Sequence, residues 1–519
     1  MRPLAGALLA LVVLAGGAAA REDGPQRDIT PRDVTELEAF GRAAVSPDGR
    51  WAVYEKRGPY DTASRFDLGE RVTWTITDLF IVDLTETAPT PEVLLPGEGP
   101  GLLRVAWSPD SRRLLIARRQ GEIYEYGVVT LADRSVRWTG LTPDFSRTSA
   151  TAEWVSAEAV ALSIRPDHSL PEILKDFGGA QARMTGNWRR SAEGRDVSRQ
   201  VLDARAGRVT TETPTPQGAL VLLDVRDGRV RELAGGVIAD FAASPDGRRV
   251  AVVRSAEPVP VTGPLVQLES ANRARLSLVD IATGQTSSPL DGWDIGYSLL
   301  RWSPDSTSVL VWARQDGEAW SDGRLMQVGF GGAAALDLAG LTPGEDAQTV
   351  AYVRADWIGD RPVIYARSEH GVRYDWYLLG GAAPAVNLTQ SLRAAPARIL
   401  NAAPDALRVI ADGGVWSIGA GGARRLTPEG QMLVAATPGD RDLTRRAGVQ
   451  RGAAAGLDAD QQCGGGQSCS VGRRRSSGSG RRERRRSGLG DLSGARPGSR
   501  KGRAGGNALA AARRCKCSD

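Results

Sequence analysis

A short turn motif, Ser-Pro-Asp followed by Gly or Ser, occurs four times in the chain after an apolar residue. Proline fixes φ at the first corner of a turn, the Asp side chain bonds back to nearby amides, and Gly or Ser tolerates the remaining backbone geometry. A short apolar run follows each copy, so each motif predicts the turn of a β-hairpin. The copies begin at Ser46, Ser108, Ser244 and Ser303, and the runs that follow are residues 51–54, 114–117, 250–253 and 309–312.

A second pattern follows these hairpins at a distance. It consists of a strand that often ends in Asp, a polar turn and another strand, and it is clear at residues 78–83, 222–230 and 276–284. Weaker copies lie at residues 376–389 and 415–427. Two hairpins in each unit make four strands, and a four-stranded sheet repeated around an axis forms a β-propeller.

Seven turns mark seven repeated units. The sequence therefore predicts an all-β fold, a seven-bladed β-propeller, between about residues 36 and 437. One helix is expected before it, from Pro31 to about Phe40, with Thr30 as the N-cap and Pro31 at the first helical position. The turns are centred near Pro47, Pro109, Ala157, Pro245, Pro304, Gly359 and Pro404.

The first twenty residues have the pattern of an export signal. Arg2 supplies positive charge, residues 4–14 are apolar, and three alanines at 18–20 form a small-residue cleavage site. The apolar run is too short to span a bilayer comfortably, and no other stretch is long and apolar enough. We therefore expect residues 1–20 to be a signal peptide cleaved near Ala20, leaving a periplasmic or secreted protein with no stable membrane anchor.

Charge is unevenly distributed between the body of the chain and its end. From residue 445 onward the chain carries 18 of its 66 Lys and Arg residues but 5 of its 61 Asp and Glu residues. The remainder is mildly acidic and gives no electrostatic reason to expect nucleic acid as a partner. The domains expected are a propeller over residues 21–437 and a disordered basic tail over 438–519, since the tail has too little apolar surface to order itself.

Cysteine and histidine are confined to a few positions. All four cysteines lie in the tail, at 463, 469, 515 and 517, and their spacing does not match a zinc knuckle. His168 and His370 are the only histidines, which excludes a multi-histidine metal centre. For each of them a surface or loop position is expected, and the sequence predicts no metal site and no cofactor.

Several motifs resemble a known family. The Ser-Pro-Asp turns, the Asp-ended third strands and the Leu-Thr blade endings are similar to the propellers of prolyl-oligopeptidase-type serine peptidases and of periplasmic TolB-like proteins. More specifically, residues 27–33 (RDITPRD), 58–62 (GPYDT) and 65–69 (RFDLG) resemble the lasso peptide isopeptidases, a branch of the prolyl-oligopeptidase family. The resemblance covers about residues 28–428 and implies hydrolysis of the side-chain amide that closes a lasso peptide ring.

The resemblance ends where the family's α/β-hydrolase domain would begin. That domain carries a Ser nucleophile on a Gly-x-Ser-x-Gly elbow, followed by Asp and then His. This sequence contains no Gly-x-Ser-x-Gly, and no His follows His370. Serine needs a positioned base to lose its proton, so no residue is assigned as catalytic and the chain as written is expected to be inactive.

Three interpretations of the tail compete. It binds an anionic partner, it forms a Cys-based metal knuckle, or it is translated out of frame. Export disfavours nucleic acid, the tail lacks an amphipathic stripe, and the Cys spacing disfavours the knuckle. We expect the out-of-frame interpretation, which accounts for both the Arg-, Gly- and Ser-rich composition and the missing hydrolase domain. The alternative function is a TolB-like periplasmic protein-binding scaffold that never had one.

Candidate substrate-contacting residues lie in two long excursions. The excursion in the fourth unit contains Trp188 and Arg189, and aromatic and Arg side chains on a long loop suit recognition of a folded peptide. Tyr60, Arg65 and Trp74, in the loop of the first unit, are similar candidates. The competing interpretation is that Trp74 and Trp188 pack only within their own loops. A lasso-like peptide is the expected partner once a hydrolase domain is supplied.

Overall fold

The computed structural model describes residues 28–121, 123–145, 150–195, 218–259, 272–344, 353–380, 383–396, 399–403 and 405–428. The expected signal peptide and basic tail lie outside these residues. Within them the chain forms seven antiparallel sheets, each built from strands that are consecutive in sequence. This confirms the predicted all-β, seven-bladed propeller fold.

Blades 1 to 4 each contain four strands in sequence order. Their bounds are β1 (Ala39–Val45), β2 (Trp51–Arg57), β3 (Thr77–Asp83), β4 (Glu92–Val93); β5 (Leu102–Trp107), β6 (Arg113–Gln120), β7 (Ile123–Thr130), β8 (Ser135–Trp138); β9 (Ala152–Trp154), β10 (Ala159–Ile164), β11 (Ala219–Asp224), β12 (Val230–Gly235); and β13 (Ile238–Ala243), β14 (Arg249–Pro258), β15 (Asn272–Asp280), β16 (Thr286–Ser287).

Blades 5 to 7 continue the pattern, except that blade 6 has five strands because β21 and β22 both pair with β23. Their bounds are β17 (Trp293–Trp302), β18 (Ser308–Gln315), β19 (Arg324–Gly329), β20 (Gly332–Ala335); β21 (Leu341–Pro343), β22 (Ala355–Ile358), β23 (Arg361–Ser368), β24 (Asp375–Gly380), β25 (Ala383–Asn387); and β26 (Ile399–Ala403), β27 (Ala406–Ala411), β28 (Gly414–Gly419), β29 (Gly422–Arg425).

Six of the seven predicted turns connect the first strand of a blade to the second strand. In blade 6, the predicted turn connects β22 to β23. In blade 5, Ser303 Oγ donates to Asp305 at 2.6 Å, Asp305 accepts from the Thr307 amide at 3.0 Å, and the Ser308 amide donates to Ser303 Oγ at 3.1 Å. The same three contacts recur at the other three Ser-Pro-Asp turns. The repeated motif is therefore a self-bonded hairpin turn in which each side chain has a partner.

The difference between Gly and Ser after the Asp has a structural reason. Ser111 and Ser306 both adopt the left-handed region, with φ of 61° and 63°. Their hydroxyls accept hydrogen bonds from the amides of Asp48 and Asp246, at 2.9 and 3.0 Å, in the preceding blade. The serine hydroxyl thus links blade 2 to blade 1 and blade 5 to blade 4, which a glycine could not do.

Six hydrophobic clusters lie at the six interfaces between consecutive blades. Two tryptophans within these clusters also donate hydrogen bonds across the interface. Trp154 Nε1 donates to the Ala106 carbonyl at 3.3 Å, and Trp302 Nε1 donates to the Ala242 carbonyl at 2.8 Å. In the described part of the chain no such cluster joins blade 7 to blade 1. The blades are therefore held in series by side-chain packing.

The N-terminal helix is shorter than the sequence suggested. Helix α1 spans Pro31–Thr35, with Thr30 as its N-cap and a capping box to Asp33, as expected from the Thr-Pro signal. It does not reach Phe40, because Phe40 already belongs to β1 and pairs with Lys56 of β2. Strand pairing in blade 1 therefore overrides the local helical tendency.

Candidate functional site

The antiparallel order places the connections of each blade alternately at its two ends. The end that carries the Ser-Pro-Asp turns also carries the connections from third to fourth strands; we call it the turn face. The opposite end carries the connections from second to third strands, and we call it the insertion face. Two of these connections are long, residues 58–76 in blade 1 and 165–218 in blade 3. The candidate site residues all lie in these two insertions.

The blade 1 insertion consists of two stretches of 3-10 helix, Tyr60–Thr62 and Phe66–Ile76. Tyr60 is exposed, and its ring lies 5.4 Å from that of Phe66, which is exposed as well. Arg65 forms a two-pronged ion pair with Asp67, with both N–O distances at 2.8 Å. This insertion therefore presents an aromatic pair and a neutralised arginine at its outer surface.

Trp74 belongs to a cluster of three aromatic rings beneath the blade 1 insertion. Its ring meets Phe145 at 5.3 Å and Tyr124 at 6.3 Å, both edge to face, and Arg71 lies over it at 5.1 Å. Leu68, from the same insertion, is buried in the core shared by blades 2 and 3. Trp74 thus attaches the insertion to Tyr124 of blade 2 and to Phe145, so its contacts extend beyond its own loop.

The blade 3 insertion contains a helix where the sequence analysis expected a loop. Helix α2 spans Glu172–Ala192, because the segment has no internal proline and 11 of its 21 residues are good helix formers (Ala, Arg, Leu, Met, Lys, Gln and Glu), which outweigh its three glycines. The insertion also lies within the third blade, between β10 and β11, and not in the fourth unit. Both expectations about this segment were wrong, although the stretch remains the longest excursion from a blade.

The start of α2 is anchored in the core. Ile173 and Leu174 are buried in the cluster of blades 2 and 3, and the helix lies against the Phe66–Ile76 segment. Trp188, by contrast, is 69% exposed, and Met184, four residues earlier on the same side of the helix, is exposed too. Arg189 is likewise exposed. The end of α2 therefore offers an aromatic, a thioether and a cation to solvent on a regular helix.

The two insertions pack against each other, but the candidate substrate-contacting residues do not line a single pocket. Trp74 shares a hydrophobic cluster with Leu174. At 1.5 Å per residue, Trp188 lies about 21 Å further along the helix than Leu174. The candidates are consequently spread over one broad face and do not converge on a single cavity.

Arg119 and Tyr124, which no sequence motif marks, lie on the same face in blade 2. They are directly paired across β6 and β7, so their side chains share one side of the sheet. Arg119 is partly buried, and its charge acts on Asp67, although no salt bridge within 4.0 Å joins it to a described residue. The Tyr124 hydroxyl is buried without a hydrogen-bond partner among the described residues. Both residues look structural in the sequence, because they sit inside regular strands flanking a tight hairpin.

Blade 5 adds a second group that the sequence analysis missed. Arg314 and Asp294 form a buried ion pair at 2.9 Å, and the Arg314 guanidinium lies 4.2 Å from the centre of the Trp320 ring. Arg324 stacks over Trp293 in the same blade, at 5.2 Å. Because Arg314 is buried and already paired with Asp294, its stack on Trp320 stabilises blade 5 itself.

Both histidines of the sequence lie in the part of the chain that the structure describes. His168 is exposed, and its Nδ1 lies 2.9 Å from Thr142 Oγ1. His370 is exposed on the connection between β23 and β24. In the ranges that the structure describes, no group of three or more His, Cys, Asp or Glu side chains is arranged to hold a metal ion. Nor does any helix of those ranges have the length and apolar character needed to cross a membrane.

No protein-family model matches the sequence, and none of the curated proteins compared with it is similar enough to be a relative. Similar solved structures include the acylaminoacyl peptidase of Pyrococcus horikoshii, with a TM-score of 0.39 and 10% identity over 76% of this chain and 53% of that chain. Another is the β-propeller domain of the Trilobed protease of Pyrococcus furiosus, with a TM-score of 0.37 and 10% identity over 77% and 99% of the two chains.

TolB of Acinetobacter baumannii is also similar, with a TM-score of 0.27 and 10% identity over 68% of this chain and 66% of TolB. The chain spans about half the length of the acylaminoacyl peptidase that it matches. These structural neighbours include propellers of peptidases, at low identity. At such identities and TM-scores the likeness is one of fold and carries nothing about activity.

Proposed function

We propose that this chain is the propeller of an exported serine isopeptidase of the prolyl-oligopeptidase type, and that its insertion face contacts a lasso-like peptide substrate. The observation that carries the proposal is the position of the resembling motifs. Residues 58–62 and 65–69 both fall in the blade 1 insertion, which packs against α2. Two of the three segments that resemble lasso peptide isopeptidases therefore lie on the same face as the exposed Trp188 and Arg189.

The chemistry of this face suits a peptide partner. Large exposed aromatic and Arg side chains are the residues that most often dominate binding energy at protein interfaces. Trp188 and Arg189 are neighbours on a helix anchored through Ile173 and Leu174, so less conformational freedom is lost when they bind than on a loop. Tyr60 provides a further exposed ring on the blade 1 insertion.

The proposed role is recognition and not bond cleavage. Amide hydrolysis by this type of peptidase needs a Ser nucleophile, a His base and an Asp partner. The sequence has no Gly-x-Ser-x-Gly elbow, and both of its histidines are exposed. We propose that the chain binds the peptide in the periplasm or outside the cell and that a hydrolase domain supplies the cleavage chemistry.

Titration calorimetry of the full chain with a threaded lasso peptide tests this proposal. We expect the double variant Trp188→Ala/Arg189→Gln to bind about tenfold or more weakly than wild type, as loss of interface anchors does. Its melting temperature should be unchanged, because both side chains are exposed. Val230→Ala, at the turn face, is the matched control and should bind as wild type does.

Two results would contradict the proposal. Equal affinity of wild type and the double variant for the peptide would show that the end of α2 does not contact it. Absence of any peptide binding, with a folded chain, would favour the alternative of a periplasmic protein-binding scaffold.

A further inference from the structure

The insertion face contains a buried hydroxyl that nothing in the described protein satisfies. Tyr124 is 1% exposed, and its oxygen has no hydrogen-bond partner among the described residues. A buried hydroxyl without a partner is costly, so native proteins rarely retain one without a reason. Two residues further along β7, Tyr126 shows the ordinary arrangement, because its hydroxyl lies 3.1 Å from the carbonyl oxygens of Thr151 and Ser163.

Two arginine charges act on the Tyr124 hydroxyl. Arg119 is its direct cross-strand neighbour, and the charges of both Arg119 and Arg65 act on the phenol. Asp67 is the nearby acid, but Arg65 engages both of its carboxylate oxygens at 2.8 Å. Arg119 is therefore left without an ion pair, and these three charged groups have a net positive charge.

The phenol is a donor at neutral pH. Burial raises the pKa of Tyr124, and the opposing charges of Arg119 and Arg65 lower it by less. A protonated phenol and a neighbouring guanidinium can each donate one hydrogen bond to the same acceptor. The acceptor that matches two donors and a positive charge is a carboxylate.

We propose that Arg119 and the Tyr124 hydroxyl form a binding subsite for a carboxylate group of the bound peptide. The subsite lies beneath the blade 1 insertion, where Trp74 and Phe145 close the apolar side of the Tyr124 ring. Contact with a ligand requires the insertion to shift, since the hydroxyl is buried. This inference rests on the proposed function in placing a peptide at the insertion face.

Stability measurements separate a ligand-binding hydroxyl from a structural one. Tyr124→Phe should leave the melting temperature unchanged or raise it, because it removes an unsatisfied buried group. Tyr126→Phe should lower it, because two carbonyl oxygens lose their donor. A loss of stability in Tyr124→Phe as large as in Tyr126→Phe would assign the Tyr124 hydroxyl a structural role and overturn the inference.

Thermal shifts with small probes test the binding chemistry directly. Hippurate carries a carboxylate and an aromatic ring, and hippuramide is its uncharged counterpart. We expect hippurate to raise the melting temperature of the wild-type chain by mass action, and hippuramide to have no effect. Tyr124→Phe and Arg119→Gln should each reduce the affinity for hippurate about tenfold, whereas Tyr126→Phe should retain it. The inference is overturned if hippurate has no effect on wild type, or if it raises the melting temperatures of Tyr124→Phe and Arg119→Gln as much as that of wild type.

Peptide variants then identify which carboxylate occupies the subsite. A lasso-like peptide is compared with its C-terminal carboxamide and with a version in which its free Asp and Glu side chains are amides. One of these changes should weaken binding about tenfold in wild type and have no effect in Tyr124→Phe. Binding that is insensitive to both changes overturns the subsite and leaves the proposed function intact. A hippurate response without any peptide binding supports the subsite and contradicts the proposed function.

Discussion

Replacing Trp302 by alanine is expected to lower the free energy of unfolding by about 3–5 kcal/mol, the usual cost of truncating a large buried aromatic side chain. Trp302 is 5% exposed and lies in the core shared by blades 4 and 5. Its Nε1 also satisfies the Ala242 carbonyl of blade 4, at 2.8 Å. The variant loses both the packing and the bond between the two blades.

Urea unfolding followed by far-ultraviolet circular dichroism measures this effect. Trp302→Phe keeps most of the apolar volume and removes the indole N–H, so it should cost less, about 1–3 kcal/mol. Trp188→Ala is the matched control for loss of a tryptophan and should change stability by less than about 0.5 kcal/mol, since that side chain is exposed. Equal destabilisation by Trp302→Ala and Trp188→Ala would contradict the interface described here.

Replacing Glu55 by glutamine is expected to cost about 3 kcal/mol at neutral pH, the lower end for breaking a buried ion pair. The Glu55 side chain is 3% exposed and accepts from the Arg42 guanidinium at 2.8 Å and from the backbone amide of Arg42 at 3.0 Å. It also accepts from the Arg104 amide at 3.1 Å, across the interface between blades 1 and 2. Arg42 is partly solvated, which is why the lower figure applies.

The cost of the Glu55 substitution should depend on pH. Burial by itself raises the pKa of Glu55, but the charge and hydrogen bonds of Arg42 and the charge of Arg104 outweigh it and hold the pKa below its ordinary value of 4.5. A lowered pKa means that the carboxylate contributes stability above pH 4.5, and that this contribution is lost as the pH falls through the native pKa. The difference between wild type and Glu55→Gln should therefore narrow below about pH 4.5.

Denaturant titrations from pH 7 to pH 3 provide the measurement, with Glu158→Gln as control. Glu158 is an exposed carboxylate that pairs with Arg226 at 3.1 Å, so its loss should cost less than about 1 kcal/mol. A Glu55→Gln cost that stays constant across this range would mean that Glu55 does not carry the charge assigned to it.

The blades were predictable because their turns are chemically local. Ser303, Asp305 and Thr307 form hydrogen bonds with one another within five residues, so the local sequence is enough to predict the turn. The helical N-cap at Thr30 was predictable for the same reason. The end of α1 and the fifth strand of blade 6 were not, because each depends on pairing with a strand that is distant in sequence.

The candidate site was only partly predictable. Composition identified Trp188 and Arg189, whose exposure the structure shows, but it gave no sign that Trp74 would be held by Phe145 and Tyr124. Arg119 and Tyr124 become notable only when the β6–β7 register sets them side by side and leaves the hydroxyl without a partner. Such features depend on tertiary contacts that no local motif records.

Site-specific photo-crosslinking of the full chain tests most directly whether the insertion face is the peptide-contacting surface. Benzoylphenylalanine is introduced at Trp188 and at Tyr60, both exposed on the insertion face, and at Val230, exposed at the turn face. After irradiation with a threaded lasso peptide, we predict crosslinked product from positions 188 and 60 and none above background from position 230. Crosslinking from position 230 alone, or equally from all three positions, would contradict the proposed function.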